Sequence, residues 1–166
     1  MATFKNTSKL IDAKTNTIPV PNGGAPFGSS VYGWAMADVF KGVKLESKAY
    51  VGCSGLATTS ASTGICTLSH FPPASQGQKV EDAYAKFLVS HMQTDAKIYL
   101  FGNVTKAQRN PTLAAVLDKL DLSDSVIEIS ENAVRAMDAS INHLGVHLDF
   151  RAITSKTIIP SQTLAL

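Results

Sequence analysis

Lys97-Ile98-Tyr99-Leu100-Phe101 is a nearly continuous apolar run that stops at Gly102, and it constrains the fold more than any other stretch. A run this short and this apolar reads as a strand buried on both faces, the kind found inside a layered domain. Helices flank it in the sequence. Val80 to Met92 places Val80, Ala83, Tyr84, Phe87, Leu88 and Met92 on one face of an amphipathic helix. Asn110-Pro111 joins a favoured N-cap to proline at the first helical position, so a second helix is expected through Leu113, Val116, Leu117 and Leu120. Further strands are expected at Val43 to Val51, Val126 to Ile129, Gly145 to Arg151 and Lys156 to Ile159. In the first of these, Val43, Leu45, Ser47 and Ala49 share a side. In Gly145 to Arg151, Val146, Leu148 and Phe150 face in, while His147, Asp149 and Arg151 form a solvated face. Ser29 to Phe40, around the single Trp34, fits a helix or a strand, and Ser130 to Ser140 fits a helix or a long connection. Residues 1–27 read as an irregular arm, with a short strand near Lys9 to Ile11, and residues 28–166 as the domain proper. Helices and strands mixed with hairpins give an α/β or α+β layered domain in which mixed sheets are expected.

The chain's 166 residues suffice for one domain with a substantial core. A net charge of +2 with no block of Lys or Arg gives no reason to expect a nucleic-acid or membrane partner. Two cysteines do not make a disulfide framework. Met1 to Lys14 has no apolar core of signal-peptide length, and no stretch is apolar enough to span a bilayer. A soluble protein in a reducing compartment is the expectation.

The stretch with chemical content is Gly52-Cys53 to Ser69-His70. Gly52 to Thr58 and Ile65 to His70 are β-rich, and Ser60-Ala61-Ser62-Thr63-Gly64 is turn chemistry, so a hairpin is expected. If Cys53 sits directly opposite His70, the centre of that hairpin falls inside the turn. Alternation then puts Cys66, Leu68 and His70 on one face and Ile65, Thr67 and Ser69 on the other. A thiol beside an imidazole is the equipment of nucleophilic acyl chemistry. The plainer alternative is a buried small hydrophobe and a histidine at a strand end. Cys66 reads as core, since a Cys53–Cys66 bridge needs a different register. His91 falls on the polar side of its helix, and His143 and His147 near Asp149 suggest no metal site.

The order of these pieces resembles the CheD family of chemoreceptor glutamine deamidases. Its superfamily includes the cytotoxic necrotizing factor and Burkholderia lethal factor type toxins. The likeness rests on Gly52-Cys53, His70-Phe71-Pro72, the helix Val80 to Met92, the apolar strand ending at Gly102, and Gln108-Arg109-Asn110 opening a helix, and it covers about Leu45 to Leu120. It implies an α+β fold: a single-domain layered sandwich of mixed β-sheets flanked by helices. It also implies a cysteine-dependent hydrolase that deamidates a protein glutamine, with Cys53 as nucleophile, His70 as base, and Ser47, six positions before the cysteine, orienting the imidazole. An ion pair with His70 would activate Cys53, and backbone N–H groups of Gly52, Cys53 and Ser54 would hold the oxyanion. The substrate rim would carry Gln76, Gln78, Lys79, Lys106, Gln108 and Arg109. No cofactor or metal is implied, and the partner is the protein substrate. Asn103 stands where the family has a second glycine, and the family's later glycines are not evident between Ser130 and Ser140. These departures favour an effector-like toxin acting in a host cytosol over an enzyme of the bacterial cytoplasm. In that case deleting Met1–Pro21 should leave folding and deamidation intact. The other readings are a non-catalytic binding module and a small-molecule amidase on the same fold.

Overall fold

The computed structural model describes residues 16–21, 33–102, 110–129, 134–152 and 160–166. Two five-stranded sheets organise them. The first contains β1 (Thr17–Pro19), β3 (Lys44–Ser47), β8 (Val134–Asn142), β9 (Gly145–Ala152) and β10 (Gln162–Leu164), side by side in that order. The second runs β2 (Trp34–Asp38), β5 (Ile65–Ser69), β4 (Ser54–Thr59), β6 (Lys97–Gly102) and β7 (Val126–Ile129). Each sheet holds one parallel pair, β1 with β3 and β6 with β7, and is otherwise antiparallel, so both are mixed. Helices α1 (Gln78–His91) and α2 (Pro111–Lys119) complete an α+β arrangement of three layers.

Strand β6 shows why the layers stack this way. Tyr99 and Phe101 enter a core between the two sheets, shared with Leu45, Ile141 and Leu148. Ile98 and Leu100 point the other way, into a second core with Leu88, Leu113 and Leu117 of the helices. Each fully buried large side chain contributes about 1.5–3 kcal/mol, so a strand lined on both faces is the natural middle of the stack. Helix α2 begins as expected: Asn110 Oδ1 accepts from the N–H groups of Thr112 and Leu113 at 3.0 and 3.2 Å, with Pro111 at the first position.

Of the two alternatives for the segment around Trp34, the strand is the one found, because Trp34 packs towards the helices while Ala35 and Ala37 turn into the inter-sheet core. Three expectations are corrected. The stretch from Val134 is also a strand; Met137, Ala139 and Ile141 face inward, and β8 pairs with β9 through a tight hairpin. Strand β3 ends at Ser47, so the chain does not continue extended to Val51. Thr17–Pro19, inside the stretch expected to be irregular, forms β1 against β3. The strands expected at Lys9 to Ile11 and Lys156 to Ile159 lie outside the described residues. Among the described residues, no helix is long and apolar enough to cross a membrane.

Candidate active site

The chain crosses from one sheet to the other between Ser47 and Ser54, and the site forms at that crossing. The turn is tight. Ala49 and Gly52 adopt left-handed φ values of 61° and 69°, which for a non-glycine residue costs about 1–3 kcal/mol. Three hydrogen bonds hold the turn: Ala49 N–H to Asp138 Oδ1, Tyr50 N–H to Met137 O, and Val51 N–H to Ala49 O, each at 2.8 Å. Val51 and Gly52 are exposed, while Tyr50 and Cys53 turn inward.

Ser47 and Cys53 therefore stand on different sheets, not on one face of one strand. What they share is His70, which follows β5 and faces the inter-sheet space, as the alternation of Cys66, Leu68 and His70 predicts. The His70 N–H donates to Gly33 O at 2.7 Å. Ser47 Oγ lies 2.6 Å from Val20 O and 2.9 Å from His70 Nδ1. A carbonyl can only accept, so the single hydroxyl proton goes to Val20, and Oγ then accepts from Nδ1–H. This network assigns the imidazole tautomer. The lone pair is on Nε2, which is buried and has no hydrogen-bond partner among the described residues.

The hairpin register differs from the expected one. Ala57 pairs with Leu68, and Ser54 with Phe71. His70 thus lies opposite Gly55, and Cys53 is its diagonal neighbour, facing the same inter-sheet space, at the roughly 7–8 Å that separates diagonal positions. The ladder opens beside the site. Leu56 N–H donates to Ser69 Oγ at 2.9 Å instead of to the Ser69 carbonyl, which accepts from the Tyr50 hydroxyl at 2.8 Å. The Tyr50 ring stacks on His70 with centroids 3.9 Å apart and planes 12° from parallel. On the far side of Cys53, Gly102 (φ 95°) pairs with Ser54; a Cβ there would run into the Cys53 carbonyl. Asn110 Nδ2 donates to Pro72 O, tying the start of α2 to the exit from β5.

Burial sets the electrostatics. His70 is 1% exposed, and desolvation lowers its pKa from 6.5 to about 4. The imidazolium half of the expected resting ion pair is thus disfavoured, and the imidazole is held neutral. Burial also pushes the Tyr50 phenol far above its ordinary range, so it remains a donor. Cys66 is fully buried in the core and pushed up to about 11 by burial. Both cysteines are free thiols.

Other expected members fare unevenly. Ser54 N–H is spent on Phe71 O at 2.9 Å, which removes it from the expected oxyanion set of Gly52, Cys53 and Ser54. Gln78 and Lys79 are exposed in the first turn of α1, where Gln78 donates to Asp82. Lys106, Gln108 and Arg109 lie outside the described residues. Val20 and β1 belong to the segment whose loss was expected to be harmless, yet they pair with β3 and receive the Ser47 proton. His147 is not a bare solvated side chain: its ring nitrogens meet Thr163 Oγ1 at 3.2 Å and Asn142 Oδ1 at 2.8 Å. No group of three or more His, Cys, Asp or Glu residues able to hold a metal occurs among the described residues. Tyr50, Gly55 and Gly102 were missed as site residues. Their only sequence signals were an aromatic residue three positions before the cysteine and glycines inside strands. No family model matches the chain, and no curated protein matches it.

Proposed function

We propose that this protein is a CheD-like, cysteine-dependent hydrolase that deamidates glutamine side chains in proteins, using Cys53 and His70. One observation carries the reading: Val20 O, Ser47 Oγ and His70 Nδ1 form a directional chain across the two sheets. It leaves a lone pair on a buried Nε2, as a general base requires. Cys53, on the same face of the hairpin, is the nucleophile.

In the first step the Cys53 Sγ–H proton passes to His70 Nε2 as sulfur bonds to the carboxamide carbon. Backbone N–H groups at Gly52-Cys53 stabilise the oxyanion. Collapse breaks the C–N bond, and Nε2 returns the proton to the departing ammonia. Nε2 next takes a proton from water as the water oxygen bonds to the thioester carbon; the C–S bond then breaks, the Nε2 proton returns to the departing Cys53 sulfur, and glutamate is left. Nothing in this sequence needs a metal or an electron carrier. Choice of glutamine falls to the surface around the dyad, where the exposed Lys79 in the first turn of α1 supplies positive charge. An acidic patch beside the target glutamine fits such a rim.

The test is mass spectrometry of a lysate incubated with wild type or with Cys53→Ser. Glutamine-to-glutamate shifts of about +1 Da that vanish in the variant support the reading, and identical spectra count against it. A second reading, a non-catalytic module on the same fold, is favoured by the burial of Cys53 and His70 at 6% and 1% exposure. It expects no wild-type shift, and it expects Cys53→Ala and His70→Ala to change stability alone.

A further inference from the structure

We propose that Tyr50 is a positioning residue for the His70 base, acting on the plane of the imidazole while Ser47 acts on its Nδ1 atom. The inference rests on the catalytic reading of His70 given above. A hydrogen bond at Nδ1 anchors one atom of the ring and leaves the plane free to swing about it. Stacking removes that freedom. The rings of Tyr50 and His70 lie 3.9 Å apart and within 12° of parallel, so the two contacts together fix where Nε2 points.

Tyr50 is itself held from both sheets. Its backbone N–H donates to Met137 O of β8, and its hydroxyl donates to Ser69 O, the carbonyl immediately before His70. At that point the Ser69 hydroxyl, not its carbonyl, is the acceptor for Leu56 N–H. Phe101 meets Tyr50 edge-on at 5.3 Å and 77°. The Phe101 ring in turn fills the space a side chain on Gly55 would need. The opened ladder, the missing side chain at Gly55 and the edge contact all converge on one ring position. A ring that merely filled the core would not need the sheet pairing between Leu56 and Ser69 exchanged for side-chain hydrogen bonds, one of which is its own hydroxyl to Ser69 O.

The experiment compares Tyr50→Phe and Tyr50→Leu with wild type by NMR titration of the His70 ring nitrogens, by the rate of Cys53 alkylation, and by kcat and KM on a glutamine-bearing protein that the wild type deamidates. Tyr50→Phe keeps the stack, so the His70 tautomer and pKa should match wild type, with kcat within about threefold. Tyr50→Leu keeps bulk without the flat face. Its His70 pKa should rise towards 6.5, tautomer preference should fade, and kcat should drop about tenfold or more with KM unchanged. A folded Tyr50→Leu protein with wild-type His70 resonances and kcat overturns the proposal. If Tyr50→Leu does not fold, Tyr50→Met takes its place: a shifted His70 pKa with a tenfold loss of kcat supports positioning by the ring, and wild-type resonances and kcat overturn it; a tenfold loss in Tyr50→Phe with unchanged resonances also overturns it. The resonances and the alkylation rate need no substrate. If they respond as expected while wild type deamidates nothing, the positioning role stands and the deamidase reading falls.

Discussion

Ser47 and His70 belong to different sheets, yet the hydroxyl and Nδ1 meet at 2.9 Å, with Val20 O taking the hydroxyl proton. Neither sheet alone contains a tautomer lock; the packing of one on the other creates it. Ser47→Ala should therefore lower kcat about tenfold to a hundredfold through loss of orientation. It should also cost about 1–3 kcal/mol, because Val20 O and Nδ1–H lose their partner. Ser47→Thr keeps the hydroxyl and should recover much of both. Steady-state kinetics and urea unfolding of the two variants check this, and equal loss in both would deny the hydroxyl its role.

Deleting residues 1–21 tests the same lock from its other end. The deletion removes β1, the strand that pairs with β3, and with it Val20 O. The truncated chain should be less stable by more than Ser47→Ala, and any folded fraction should show the slow alkylation of a misoriented dyad. A truncated protein with wild-type stability would mean that β1 contributes nothing to the sandwich.

The pH dependence follows from the burial of His70. Its folded pKa of about 4 lies below the exposed value of 6.5. The unfolded chain thus takes up the proton first as pH falls. Stability from this group is fully present above 6.5, declines between 6.5 and 4, and has been lost below 4, a total of about 3 kcal/mol. His70→Gln should flatten that part of the urea-unfolding profile. For the reaction, the acid limb of kcat/KM should fall near pH 4, because the free base remains neutral down to that point.

Much of this arrangement was readable before any coordinates. The apolar run of β6, the Asn110-Pro111 helix start and the alternation of Cys66, Leu68 and His70 are local patterns, and local patterns survive folding. The hairpin register was not readable. One register runs through Ser54 opposite Phe71, Ala57 opposite Leu68 and Thr58 opposite Thr67, two residues from the one that sets Cys53 directly opposite His70. Both centre the hairpin inside the same turn, so turn chemistry does not choose between them. Val20 was hidden because its carbonyl matters only once β1 lies beside β3. Strand β8 was a different kind of miss. Met137, Ala139 and Ile141 alternate with Asp138, Ser140 and Asn142, a period-2 signal that the preceding ambiguous residues obscured.

Gly102 separates strain from obstruction. Gly42 and Gly102 both have left-handed φ values, 77° and 95°, but a Cβ on Gly42 meets nothing within 4 Å whereas one on Gly102 strikes the Cys53 carbonyl. Gly42→Ala should cost about 1 kcal/mol of backbone strain. Gly102→Ala should cost clearly more and also slow the alkylation of Cys53, since the obstruction displaces the backbone of Cys53 itself. Thermal unfolding together with labelling rates checks both; equal effects at the two glycines would show that Gly102 has no special hold on Cys53.

The two cysteines make the last prediction an internal comparison. Cys66 has no exposed surface, and burial pushes its thiol up to about 11, so native protein near neutral pH holds almost none of its reactive thiolate. Cys53 is 6% exposed and follows the exposed Val51 and Gly52, and a neutral imidazole on the same face can accept its proton. Iodoacetamide at neutral pH should therefore modify one thiol per chain, Cys53, with Cys66 reacting only after unfolding. His70→Ala should slow that modification about tenfold or more, because the thiol loses its base. Peptide mapping of the alkylated protein over time, beside a circular dichroism spectrum of each variant, decides the matter. Equal labelling of the two cysteines in folded wild type, or an unchanged Cys53 rate in folded His70→Ala, would dissolve the dyad and leave Cys53 as an ordinary part of the inter-sheet core.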